Sequence, residues 1–245
     1  MEPRGGGSGG RGERAWPAGG AVAVVADAHL NGPGGDAPAL VEQIRGLDRT
    51  RCARLLLLGD IFHVWVGYKQ FEPPGLAEFL AAVQGLRAQG VAVDYLEGNR
   101  DFYLEGSPYD AFFDHLGTEV AFTAGGVRYL AVHGDGLDDD DRQYRRWRRL
   151  SKSAPVRLAV RALPTPVARR LVDSTERKLA QTNFKHRSAV PTAAIERFAV
   201  RRLAEGHDVL LLGHFHEERR WAVPGGEVWL LPAWFRTHQL IWVPS

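Results

Sequence analysis

Hydrophobic positions in this chain fall into short unbroken runs separated by stretches of helical period. The runs are Ala21 to Ala26 (AVAVVA), Ala53 to Leu58 (ARLLLL), Val91 to Leu96 (VAVDYL), Val127 to Val132 (VRYLAV) and Asp208 to Leu212 (DVLLL). Runs of this length without alternation mark strands buried on both faces. Helical spacing fills Pro38 to Leu47, Gly75 to Gln89 and Thr192 to Ala204. Strands alternating with helices predict an α/β fold with a largely buried central sheet and βαβ crossovers. Beyond Gly213 the pattern changes to Arg219 to Val223, the turn Pro224-Gly225-Gly226, Glu227 to Leu231, and His238 to Val243. That predicts an antiparallel β end. No internal repeat is visible.

One segment interrupts this order. Asp138 to Leu150 reads as a helix, with Tyr144 and Trp147 at i, i+3. Val156, Ala159, Val160 and Leu163 form a second stripe; Pro164 and Pro166 break it, and Val167, Leu171 and Val172 resume one. The spacing predicts two or three amphipathic helices, a cap inserted between core strands at about residues 138–187. The charge sharpens this picture. The net charge is only +2, but Arg142 to Arg187 holds fourteen Lys or Arg against two acids, Asp173 and Glu176, a net +12 against −10 elsewhere. A cationic block on an acidic body bears on partners rather than on fold.

Composition excludes several classes. Hydrophobic residues are 44% and charged residues 24%, ordinary globular values. The single cysteine, Cys52, can form no intrachain disulfide. No run approaches the ~20 apolar residues of a membrane span. Met1 to Gly20 is rich in Gly and Arg and reads as a disordered tail, without the apolar stretch of a secretory signal, so a cytoplasmic location is expected. Residues 21–245 then form the folded domain, cap included.

The chemistry is expected at the carboxyl ends of the strands, where open α/β sheets bind ligands. Five strand ends carry polar residues: Asp27-Ala28-His29, Gly59-Asp60, Gly98-Asn99-Arg100-Asp101, His133-Gly134-Asp135 and Gly213-His214-Phe215-His216. Each alone is an ordinary turn or cap. Jointly they offer hard oxygen or imidazole donors from five strands, four with a glycine beside the donor. Residues i and i+2 of an extended segment face one side, so Asp27 with His29, and His214 with His216, are expected each to converge on one point. The set suits two divalent ions if one carboxylate bridges, and Asp60, from an inner strand, is the expected bridge. Carboxylate, amide and imidazole ligation without thiolate favours Mn, Fe or Zn over Ca and excludes a cysteine-type structural zinc. Two ions about 3.5–4 Å apart lower the pKa of a shared water and clamp charge during in-line displacement at phosphorus.

The motif series D-x-H, G-D, G-N, a lone His and G-H-x-H resembles that of the calcineurin-like metallophosphoesterases, whose fold is an αββα sandwich. Within them the chain is most similar to the UDP-2,3-diacylglucosamine diphosphatases of lipid A biosynthesis. The likeness rests on Gly59-Asp60-Ile61-Phe62-His63-Val64-Trp65-Val66-Gly67, on Gly98-Asn99-Arg100-Asp101-Phe102, and on His133-Gly134-Asp135-Gly136-Leu137 with Asp139 to Asp141 and Tyr144 following. A cationic helical insertion follows in the same place, and the likeness covers about residues 21–243.

The resemblance implies one ion on Asp27, His29, Asp60 and His216 and another on Asp60, Asn99, His133 and His214, with Mn2+ the expected metal. It implies a phosphate contact for Arg100 and substrate contacts for Asn99, Asp141 and His214. Ser174, Thr175, Lys178 and Lys185 are candidate contacts from the cap. His63 stands where the family usually has an acid. The implied reaction is attack by activated water on the α-phosphorus of UDP-2,3-diacylglucosamine, giving UMP and 2,3-diacylglucosamine 1-phosphate. Arg100 and His133 or His214 would offset developing charge alongside the ions. The cap would enclose acyl chains and meet anionic head groups, making the protein peripheral on the cytoplasmic face of the inner membrane. A different phosphodiester or nucleotide substrate on the same core is the alternative. Nucleic-acid binding by Tyr144, Trp147 and Phe184 would leave the apolar stripes without a partner, and none is expected. His115, His186, His207 and His238 read as structural or surface residues. Core packing is expected of Trp221, Trp229, Trp234 and Trp242, with a place near the site also open to Trp234.

Overall fold

A computed structural model describes residues 20–137, 150, 153–182 and 190–243. Two five-stranded sheets face each other. The first contains β1 (Val22–Val25), β2 (Arg54–Leu58), β4 (Ala92–Leu96), β6 (His115–Gly117) and β12 (Ile241–Val243), in the order β12-β1-β2-β4-β6. The second contains β7 (Glu119–Ala124), β8 (Val127–Val132), β9 (Val209–Leu212), β10 (Arg219–Val223) and β11 (Gly226–Leu230), in the order β10-β11-β9-β8-β7. A small parallel ribbon pairs β3 (Trp65–Val66) with β5 (Asp101–Phe102).

Strand alternation assigns the layers. Ala23 and Val25 of β1, with Leu55 and Leu57 of β2, face α1 (Ala37–Arg45) and α2 (Leu76–Ala88). Val22, Val24, Leu56 and Leu58 face inward, against Tyr129, Ala131, Leu211 and Trp229 of the second sheet. Leu130, Val132, Leu210 and Leu212 turn outward onto Ile195, Ala199 and Leu203 of α5 (Thr192–Leu203). The result is an αββα sandwich. This is the sandwich that the resemblance implied, whereas periodicity alone indicates a largely buried central sheet and leaves its division into two unseen. A strand buried on both faces reads the same whether a helix or a second sheet covers it, so the pattern could not separate them.

The cap helices are α3 (Ala154–Arg161) and α4 (Thr165–Thr182), broken between Arg161 and Thr165, at the predicted proline step. Val160, Leu163, Ala168 and Val172 pack on Val64, Val66, Phe71, Phe102 and Tyr103, so the cap stands on the β3/β5 ribbon. Arg157 of α3 donates to Tyr68 Oη at 3.3 Å and to Glu105 O at 3.5 Å, and Gln70 donates to Arg161 O at 3.0 Å. Leu158, Val167 and Leu171 remain exposed on the cap. Trp65, 0% exposed, is ringed by Phe62, Phe79, Tyr95, Tyr109 and Phe113, which anchors the ribbon to the core. Trp242, expected in the core, is instead exposed beside Arg51 on the edge strand β12, while its neighbour Val243 is buried. The tail and the expected helix at Asp138 to Leu150 lie largely outside the described residues.

Candidate active site

The carboxyl ends of β1, β2 and β4 meet those of β8 and β9. Asp27 Oδ1 lies 3.2 Å from His216 Nε2 and 3.8 Å from His29 Nε2, and the two Nε2 atoms are 3.3 Å apart. Beside them, Asp60 Oδ2 is 3.6 Å from His133 Nε2. Asn99 Oδ1 is 3.3 Å from His133 Nε2 and 3.0 Å from His214 Nδ1. Asp27, His29 and His216 form one group able to hold a metal ion; Asp27, Asp60 and His133 form another. Asp27 is common to both, and Asp60, the expected bridge, stands in the second.

The backbone orients each carboxylate. His214 N donates to Asp27 Oδ2 at 2.8 Å, and Arg100 N donates to Asp60 Oδ1 at 2.9 Å. One oxygen of each is thereby held, and the other faces the histidines. Asp101, which follows the third motif directly, braces the opposite side. Its Oδ2 accepts from Asp60 N at 2.9 Å and Gly98 N at 2.8 Å, and its Oδ1 accepts from Tyr95 Oη at 3.0 Å.

Glycines beside the donors are explained by close approach. A Cβ on Gly98 would collide with the Asp60 carboxylate, and one on Gly59 with the His133 ring. The extended geometry expected around the donors does not hold. Asp27 (φ 52°), His29 (45°), Asp60 (52°), His214 (66°) and His216 (56°) all have left-handed backbones. Such conformations are sparsely populated by non-glycine residues and cluster at functional sites. Asp27 and His29 still meet, but His214 and His216 part, one turning to Asn99 and the other to Asp27.

The electrostatics suit cation binding. Burial holds His29 down to about 3, so its ring is neutral and its lone pair available. Burial likewise lowers His214. Burial alone would raise Asp27, but the charge and hydrogen bond of His216 bring it to about 2. Burial opposes ionisation of Asp60 too, and His133, His29 and Arg100 outweigh it, carrying Asp60 well below the carboxylate range. Burial would lower His133, yet Asp60 pushes it up to about 10, the response of an imidazole facing a buried anion. Asp27 and Asp60 are 0% and 1% exposed. Two buried carboxylates and several imidazole nitrogens at hydrogen-bond distance crowd one volume. Divalent cations held by these groups would compensate the carboxylate charge and take up imidazole lone pairs, so the donor set fits a pair of such ions.

The remaining expected residues are distributed as follows. Arg100 is buried, with its Nε 3.4 Å from Asp60 Oδ2 and its Nη1 3.0 Å from His63 Nδ1. His63 thus stands as a side-chain partner of Arg100. Ser174 is half-buried on α4, the helix that also carries Thr175 and Lys178. Asp141 and Lys185 lie outside the described residues, as do Tyr144, Trp147, Phe184 and His186. Trp234 is not at the site: it is core, bonded to Gln43 Oε1 and stacked on His238. Its neighbour Phe235 is at the site instead, in α6 (Trp234–Thr237), its ring 5.2 Å from those of both His29 and His216. The sequence carries no signal for Phe235, which lies just beyond the Leu231 to Trp234 stretch.

No family model matches the chain. Curated relatives do. A UDP-2,3-diacylglucosamine hydrolase of Ralstonia nicotianae is 32% identical over 233 residues, covering 89% of this chain and 85% of the relative. Those of Chromobacterium violaceum (31% over 223 residues; 87% and 90% covered) and Bordetella pertussis (33% over 238 residues; 88% and 86% covered) are similar. Among solved structures, a predicted phosphoesterase from Streptococcus pneumoniae aligns at TM-score 0.41 with 15% identity, covering 87% of this chain and 72% of that one. An archaeal phosphodiesterase aligns at TM-score 0.41 with 10% identity, covering 91% and 98%. With identity above 30% sustained over most of its length, the chain belongs to the UDP-2,3-diacylglucosamine hydrolase family.

Proposed function

We propose that the protein hydrolyses the pyrophosphate bond of UDP-2,3-diacylglucosamine to UMP and 2,3-diacylglucosamine 1-phosphate. The observation that carries this reading is the convergence of Asp27, His29, Asp60, Asn99, His133, His214 and His216 from five separate strand ends into two adjacent donor groups. The names of the curated relatives supply the substrate. Asp27, His29, Asp60 and His216 would hold one divalent ion, and Asp60, Asn99, His133 and His214 the other, with Mn2+ the expected metal. When bound, such a pair polarises phosphoryl oxygens and activates water.

The chain's own groups do the rest. Arg100, a permanent cation buried beside Asp60, is the phosphate contact that opposes charge growing on the equatorial oxygens. His214 and Asn99 line the same end and contact the scissile phosphate. The exposed Leu158, Val167 and Leu171 offer a surface for acyl chains. Ser174, Thr175, Lys178 and Asp141 would contact polar parts of the substrate. Arginines of the cap would meet anionic head groups, giving peripheral association with the cytoplasmic face of the inner membrane. No helix among the described residues is long and apolar enough to cross a membrane.

The test is to incubate purified protein with Mn2+ and the UDP-diacyl sugar and to measure UMP. Release of UMP well above a His214→Ala control is expected; release equal to that control would reject the reading.

A further inference from the structure

We propose that Arg236 binds the second phosphate of a diphosphate substrate and so selects diphosphate diesters over esters with one phosphate. The inference deepens the proposed function and rests on its reading of the substrate as a diphosphate.

Arg236 belongs to α6, whose first turn is fastened to the site: Phe235 N donates to Asp27 O at 3.3 Å, and Trp234 N donates to Ala26 O at 2.8 Å. The Phe235 ring meets both His29 and His216 edge to face. Arg236 lies over that ring, its Cζ 5.5 Å from the centroid, and its Nη1 donates to His216 O at 3.3 Å. The guanidinium is therefore held at the rim of the His29/His216 end. It is exposed, and among the described residues no carboxylate pairs with it.

Arg219 and Arg220 of β10 also sit over rings, but Arg236 alone of these three donates to a residue of the donor groups, His216, and it differs from four other arginines of the body. Arg54, Arg87, Arg128 and Arg202 each meet a carboxylate that compensates their charge. Arg236 has only a carbonyl and a ring, and keeps its remaining N–H donors for a ligand. Arg100 already supplies a cation against Asp60. The donor groups are thus flanked by two arginines from different elements, an arrangement that matches two linked phosphates, each carrying negative charge. A guanidinium fork suits a phosphate's paired oxygens.

Because Arg236 is exposed, Arg236→Ala and Arg236→Lys should fold normally. Binding of UDP and of UMP to the Mn2+-loaded protein would be measured by calorimetry, together with bound metal. KM and kcat would be measured on UDP-2,3-diacylglucosamine and on bis(p-nitrophenyl) phosphate. Arg236→Ala is expected to weaken UDP about tenfold while leaving UMP within about twofold, with Arg236→Lys intermediate. KM for the diphosphate should rise by a similar factor at unchanged kcat, with bound metal and the single-phosphate ester unaffected. Equal weakening of UMP and UDP, loss of metal, no change, or a wild-type protein that binds UDP no better than UMP would overturn the assignment. A wild-type protein that prefers UDP through Arg236 yet fails to cleave the lipid substrate would reject the proposed substrate and leave Arg236 in place.

Discussion

At the scale of single residues, the site is defined by how closely backbone and ligand approach one another. Gly98 carries no side chain because the Asp60 carboxylate fills the space where one would be. Gly98→Ala is therefore expected to displace Asp60, lower bound metal below that of the wild type and reduce turnover by about a hundredfold, the scale of a misplacement of about 1 Å; metal analysis beside a rate assay checks both. That these seven residues gather was legible because each stands within four positions of the end of an apolar run. Their conformations were not. The left-handed backbone at His214 and His216 depends on tertiary hydrogen bonds such as His214 N to Asp27, which join residues 187 positions apart. Local pattern holds no trace of such contacts. For the same reason the pattern presents Asp101 only as part of a motif, not as the group holding Asp60 N and Gly98 N.

At the scale of elements, strands with continuous apolar runs and helices with clear period appear within a residue or two of their expected positions. The short or half-polar pieces were missed. β3 and β5 are two residues each, and β7 alternates as EVAFTA beside a turn. Their stability comes from partners: the ribbon from Trp65 N donating to Arg100 O at 3.0 Å, β7 from its ladder with β8. Pairing between elements also includes ions. Arg54 of β2 and Asp94 of β4 form a buried pair, 3% and 0% exposed. Arg54→Met alone is expected to cost about 3–5 kcal/mol by stranding a buried carboxylate, whereas Arg54→Met with Asp94→Leu should recover most of it; urea unfolding of both variants measures the difference. Arg128 of β8 holds Asp208, at the start of β9, through 2.9 and 3.0 Å contacts and lowers its pKa from 3.8 to about 2. A depressed carboxylate contributes stability above its unfolded pKa and loses it as pH falls toward the folded value. The urea midpoint of the wild type should therefore drop more between pH 5 and pH 2 than that of Asp208→Asn, with the excess loss falling at about pH 4 to 2.

At the scale of the whole molecule, two sheets bring together strand ends that are far apart in sequence. Their donors, five of them in a sparsely populated backbone region, crowd one volume. Left-handed non-glycine residues cost of order 1–3 kcal/mol each, which the surrounding sandwich must offset. A cation that binds only the folded chain adds stability by mass action, about 2.7 kcal/mol at a free concentration a hundred times its Kd. Chelation is expected to lower the melting temperature, added Mn2+ to restore it in a concentration-dependent way, and Asp60→Asn to abolish that dependence; calorimetric melting across a metal titration is the measurement.

The ribbon beneath the cap has a consequence of its own. Its two short strands carry Val66 and Phe102 under the helices and lead straight from His63 and Arg100. On the proposed function, a cap that holds the hydrocarbon tails of the substrate would lean on the segment that carries Arg100. A water-soluble mimic stripped of its tails should then be turned over more slowly even at saturation, because distant binding energy no longer steadies the reacting end.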